Sequence, residues 1–141
     1  MNKKQLLTFL EHDVYARVGR SEVHGVGLIA IRDIPKGTNP FKNTFEPDAF
    51  EFTDDELRNV PAPVKKMIDA YFGREEKFVI IPMTALNPLD LLHFINHSDT
   101  SNVETIDGGM TFIAKRDISE GEELTSNYAE YDYDYKRHFR L

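Results

Sequence analysis

The chain has 141 residues, a 40% hydrophobic fraction and a formal net charge of -7, which suits one packed domain without covalent staples. It contains no cysteine, so disulfides, thiolate zinc sites and a cysteine nucleophile are excluded together. The acidic balance argues against direct nucleic-acid binding, which needs a basic face to displace counterions. It suits a cationic partner such as a lysine-rich peptide, and equally the plain solubility of an intracellular protein.

Asn2 to Leu10 reads as a short amphipathic helix. Its apolar patch is broken by Thr8 and ended by Glu11, His12 and Asp13, too short and too charged for a secretory signal. No run reaches the apolar length of a membrane span. A soluble protein inside the cell is therefore expected. Val14 to Val18 and Val26 to Ile31 read as strands around Gly19, Arg20 and Ser21, and Pro35 with Gly37 marks a tight turn. Thr53-Asp54-Asp55-Glu56 has the pattern of a capping box and predicts a helix stopped by Pro61 and Pro63. Pro63 opens a second helix, with Val64, Met67, Ile68 and Tyr71 at helical spacing up to Gly73.

Phe78 to Ile81 reads as a short buried strand and Leu89 to Ile95 as a helical turn. Val103 to Ile106 and Met110 to Ala114 flank Gly108-Gly109 as a hairpin. Leu124 to Tyr128 is the last strand, before a tail in which Tyr131, Tyr133 and Tyr135 alternate with Asp132 and Asp134. Ile29-Ala30-Ile31-Arg32-Asp33-Ile34 with Gly37 is echoed by Ile113-Ala114-Lys115-Arg116-Asp117-Ile118 with Gly121. Two copies cannot make a solenoid, so they read as two similar strand-turn units. The expectation is a single mostly-β domain over residues 1–141, with a helical insert at 53–73 and a tail at 129–141.

Three fragments carry candidate chemistry. Gly25-Val26-Gly27 permits close backbone approach to a ligand, although a bulge or turn explains it equally well. It is no dinucleotide fingerprint, having neither a third glycine nor a following helix. His93 and His97 have a spacing that can hold zinc on a helix. No H-E-x-x-H pattern or cysteine supports it, and no metal is expected. His97-Ser98-Asp99 contains the letters of a hydrolase triad, but neighbours in sequence cannot converge, and no nucleophile elbow is present. Tyr128, by itself, reads as a strand aromatic packed in a core.

Taken in order, His24 to Gly37, Phe94 to Asn102 and Gly121 to Tyr128 resemble the SET domain, a protein-lysine methyltransferase module that uses S-adenosylmethionine. The resemblance spans about residues 14–131. It implies a β-clip-like fold with short sheets, a helical insert and a C-terminal pseudoknot. The family's N-H-S-C-x-P-N reads here N-H-S-D-T-S-N, with Asp99 for cysteine and Ser101 for proline. Its G-E-E-L-T-x-D-Y reads G-E-E-L-T-S-N-Y, with Asn127 for aspartate. By resemblance, Gly25, Val26 and Gly27 contact the methionine part of the cofactor, Asn96 its amino-acid end, and His97 the adenine through backbone groups. Tyr128 falls on the family's transfer-site tyrosine.

Larger relatives close the site with a cysteine-rich zinc segment. The resemblance assigns that task here to tail aromatics such as Tyr131, one to stack on the adenine and another to line the lysine channel. Phe41, Phe45 and Phe78 are further channel candidates. Several relatives carry Phe or Tyr at Ser126, so either the site is roomier here or another side chain fills it. The expected activity is methyl transfer to a lysine of a histone or other basic protein, with a homodimer as one way to complete the surface. The alternative is a SET-shaped module that binds a basic partner without catalysis.

The chemistry sets a clear demand. A lysine amine must be neutral to attack, and with a free pKa of about 10.4 this costs roughly 4–5 kcal/mol at pH 7. The site must desolvate the ammonium and hold the amine in line with the methyl group.

Overall fold

The computed structural model describes residues 1–42 and 48–139. Strands β1 (Ala16–Arg20), β2 (Val26–Ala30), β8 (Glu123–Ser126) and β5 (Asn96–His97) form the largest sheet, in the order β1-β2-β8-β5. Two small antiparallel ribbons accompany it: β3 (Ala49–Phe52) with β4 (Val79–Pro82), and β6 (Val103–Thr105) with β7 (Phe112–Ala114). Helices α1 (Lys3–His12) and α2 (Ala62–Tyr71) and three short 3-10 turns complete the chain. The mostly-β expectation therefore holds.

Sequence explains most of this locally. β1 and β2 make a hairpin in which Ala16 faces Ala30 and Arg20 faces Val26. Gly25, at φ +54°, supplies the left-handed residue its loop requires. Burial of Leu28, Ala30, Ile34, Val103, Ile118 and Leu124, each 2% exposed or less, forms the main core, and the larger side chains stabilise it by about 1.5–3 kcal/mol each. Between the described flanks of the hairpin and the C-terminus, β8 runs antiparallel to β2 and parallel to β5, with Asn96 opposite Thr125 and His97 opposite Ser126. Buried Asn102 continues this pairing with its side chain: it donates to the Glu123 carbonyl (2.8 Å) and accepts from the Thr125 N–H (2.9 Å).

The internal echo becomes a local two-fold contact. Ile34 and Ile118 form a reciprocal bridge (2.8 and 2.9 Å), the Gly37 N–H donates to Ala114 and the Gly121 N–H to Ala30. The side chains follow the same symmetry, with Asp117 accepting from the Lys36 N–H and Asp33 from the Glu120 N–H. Two copies of one strand-turn unit clasp each other through the core.

The helix predicted from Thr53 does not form. The capping-box bonds are present, with Glu56 accepting from the Thr53 N–H and Thr53 Oγ1 from the Glu56 N–H, but residues 54–60 only make turns. Pro61 and Pro63 remove the donors a continuing helix would use, and too few residues lie before them to offset the cost of nucleation. α2 then starts at Ala62 with Pro63 in its first turn, ends before Gly73, and buries Ile68. With Leu57, Phe72 and Val79, Ile68 forms a second, smaller core. The β3–β4 ribbon that covers it was half missed: β3 exposes most of its four residues and so carries little burial signal.

Candidate active site

Asn96 is the hub of the first half of the site. Four acceptors surround its Nδ2: Ser21 Oγ (3.0 Å), the carbonyls of His24 (3.1 Å) and Val26 (3.0 Å), and Glu123 Oε2 (3.0 Å). The two N–H bonds are shared among them, and Oδ1 has no partner among the described residues. Ser21 Oγ donates to Glu123 and accepts from the Val23 and His24 N–H groups. The hairpin loop is thereby tied to β5 and β8. A Cβ at Gly27 would come within 2.6 Å of Glu123 Oε2 and 2.9 Å of Asn96 Nδ2, so any larger residue would push these two side-chain ends out of their hydrogen bonds. Val26 and Gly25 remain exposed beside it.

His97, the next residue, faces a cleft of about 550 Å³ lined also by Asp99, Tyr135, Lys136 and Phe139. The Tyr128 N–H donates to its Nδ1 (3.1 Å), so the ring hydrogen sits on Nε2 and points to Asp99 Oδ1 (2.9 Å). The Tyr135 ring stacks on the imidazole at 6.0 Å and 27°, and Phe139 meets it edge-on at 5.1 Å. Asp99, where the family has cysteine, thus fixes a tautomer. Asn127, where the family has aspartate, caps the following turn by accepting from the Ala129 N–H (3.0 Å).

Tyr128 lines a second, inner cavity of about 200 Å³. That cavity is lined by aromatic groups including Tyr71, Phe72, Phe112 and Tyr131, with His93, Asp132 and His138 as its charged or titratable members. The Tyr128 hydroxyl donates to the Ile95 carbonyl (2.5 Å), and its ring contacts His97 at 5.2 Å. Burial, helped by the charges of Asp132 and Glu123, pushes its pKa up to about 12, so the phenol keeps its proton at neutral pH. Tyr131 lies inside this second cavity, away from the His97 cleft. Its hydroxyl is 2.7 Å from Ser126 Oγ, filling the space that a small residue at 126 leaves. Phe41 stands behind it, edge-on to Phe112, which in turn meets Tyr131. Phe78 is half-buried and does not line the cavity. Phe45 lies outside the described residues.

The tail is an ordered clasp. Arg137, 6% exposed, donates to both oxygens of Asp132 (2.7 and 2.8 Å), to the Asp69 carbonyl (3.0 Å) and to the Phe72 carbonyl. The last carbonyls of α2 are so satisfied by a guanidinium, the charge their dipole favours. Burial would raise the Asp132 carboxyl, but hydrogen bonds from His138 and Arg137 outweigh it and hold the pKa below the ordinary value. Sequence reading missed Glu123, Arg137, His138 and Phe139, and among the tail aromatics it singled out Tyr131 where Tyr135 is the one stacked on His97. Glu123 lay in plain view within the G-E-E-L fragment, whereas the tail residues gain meaning only from where α2 docks.

The fold and site define a small β domain with two cavities linked by the contact of Tyr128 with His97. The chain belongs to the SET domain family, whose model matches residues 25–129. Among solved structures 217 chains match significantly, so the fold does not rest on one neighbour. One is the crystal structure of a Plasmodium falciparum protein provisionally assigned as a histone methyltransferase. It shares 18% identity at a TM-score of 0.52, over 82% of this chain and 93% of that one. At that identity the likeness concerns the fold. A comparison with curated proteins found no significant match.

Proposed function

We propose that this chain transfers a methyl group from S-adenosylmethionine to a lysine side chain of a protein. Family methyltransferases generally use this donor, and the residues present fit it. His97, Tyr135 and Phe139 offer aromatic surface for the adenine. Asn96 Oδ1 and Glu123 offer acceptors beside Gly27 for the cationic amino-acid end. Bound there, the cofactor supplies an electrophilic methyl group. Everything else falls to the protein: excluding water, holding the amine in line, and keeping it neutral.

The observation that carries this reading is Tyr128 itself. Its backbone fixes His97 on the cleft side while its ring and hydroxyl form part of the inner cavity. A lysine entering between the rings of Tyr71, Phe112 and Tyr131 is desolvated, which favours the neutral amine. The phenol, protonated at neutral pH, acts by orientation rather than as a base. A basic protein suits the acidic chain, and a histone is one candidate. Incubation with labelled S-adenosylmethionine and a panel of lysine-rich proteins tests the activity. Replacing Tyr128 by Phe should slow transfer about 10²–10³-fold, the scale for a lost preorganised donor, while calorimetry shows cofactor binding retained. Cofactor-independent capture of basic peptides without transfer would favour the non-catalytic module instead.

A further inference from the structure

Methyl transfer leaves one proton unplaced. The lysine ammonium must lose it before attack, and Tyr128 already holds its own. Asp132 and Arg137 form a buried ion pair (2.7 Å), and beside them His138 Nε2 lies 3.2 Å from Asp132 Oδ2. Because that carboxylate carries no proton, the hydrogen between them belongs to Nε2. In the neutral ring Nδ1 then keeps its lone pair, and it has no hydrogen-bond partner among the described residues. The His138 ring lines the inner cavity and meets the Tyr128 ring at 4.9 Å.

We infer that His138, oriented by Asp132, accepts the proton of the substrate ammonium in the inner cavity. This rests on the methyltransferase reading above. The proton passes from the ammonium nitrogen to Nδ1, and the freed lone pair forms the N–C bond to the donor methyl. The C–S bond breaks with its pair left on sulfur, and the imidazolium then releases its proton to water.

The other two imidazoles near Tyr128 are less suited. His97 uses Nδ1 for the Tyr128 N–H and Nε2 for Asp99. His93 lines the same cavity and holds Asp90 through Nδ1 (2.9 Å), but it packs edge-on to Phe72 rather than against Tyr128. The charged or titratable groups lining the cavity with His138 are Asp132, Tyr128, Tyr131, Tyr71 from α2 and His93 from the 3-10 turn over Leu91–Phe94, with Arg137 bonded to Asp132 and Asp90 to His93. The Arg137 charge balances Asp132, so Asp132 serves mainly to orient the ring.

His138→Gln keeps an N–H donor for Asp132 and removes the base. Single-turnover transfer near neutral pH should fall 10²–10⁴-fold, the usual contribution of a positioned base, with cofactor binding unchanged. The deficit should shrink as pH rises toward the lysine range, and should be smaller for a peptide bearing the more acidic amine of aminoethylcysteine. A merely structural role would move neither. A variant with the parental rate and pH profile overturns the assignment. Should the variant not fold, nitrogen NMR of the unaltered protein still decides it: at pH 8, His138 should carry its hydrogen on Nε2 with Nδ1 bare, and a protonated Nδ1 overturns the proposal. Absence of transfer by the unaltered protein sinks the methyltransferase reading and this step with it, whereas a fully active His138→Gln sinks this step alone.

Discussion

The two cores of this domain are built in opposite ways. The main one gathers residues from Ala16 to Leu124, so every layer joins segments distant in sequence. Among the described residues the insert core buries Leu57, Ile68, Phe72 and Val79, with partly buried neighbours from Phe52 to Leu89 packed on them, all within one local stretch. A core of four residues is small, and its helix reaches the rest of the molecule largely through the tail. Arg137 is the bolt: one guanidinium binds the α2 carbonyls and the Asp132 carboxylate together. The wall of the inner cavity runs across this joint, with Phe72 on one side and Phe112 and Tyr131 on the other. Shape of the inner cavity thus depends on a contact between the main core and the insert.

The largest expected effect comes from cutting that joint. Arg137→Ala strips the buried Asp132 carboxylate of its guanidinium, leaving only His138 and backbone N–H groups, and should cost about 3–5 kcal/mol in denaturant unfolding. A loss below about 1 kcal/mol would show that the insert is held by something else. Next come matched deletions in the cores, Leu28→Ala and Ile68→Ala, each expected to cost about 2–5 kcal/mol. Leu28→Ala should lower the global transition seen by every probe. Ile68→Ala should appear first as lost amide protection in α2, since weakly tethered regions open separately. Identical exchange patterns in both variants would mean that the cores unfold as one. The smallest effect concerns Ser101, whose buried hydroxyl lacks a partner among the described residues. Ser101→Ala should gain up to about 1 kcal/mol, read as a raised Tm; a fall would reveal a hidden partner.

The same division governs what sequence could show. The main sheet was legible because Val26 to Ile31 is an apolar strand between Gly25 and Pro35 and the three fragments named the family, although the last strand stops at Ser126 and Tyr128 opens a 3-10 turn instead of ending that strand. The Ile34 and Ile118 echo was visible too, though not its meaning, since nothing in a linear pattern says that two copies face each other. In the insert, Thr53 to Glu56 offered a correct cap without room for a helix. The tail read as alternating tyrosine and acid, yet Tyr131 points into a cavity, Asp132 into an ion pair and Tyr133 into solvent, at 67% exposure. Those fates are decided by docking against residues some sixty positions earlier, where local periodicity has no reach.

Insertion of β8 between β2 and β5 has a consequence for synthesis. β8 is the last strand among the described residues, so β5 and the second edge of β2 find their partner only after it has been made. Pairings of such long sequence separation close slowly, and the nascent hairpin meanwhile presents an open edge. Completion of the sheet is then a late event, and the His97 cleft and the inner cavity take shape only with it.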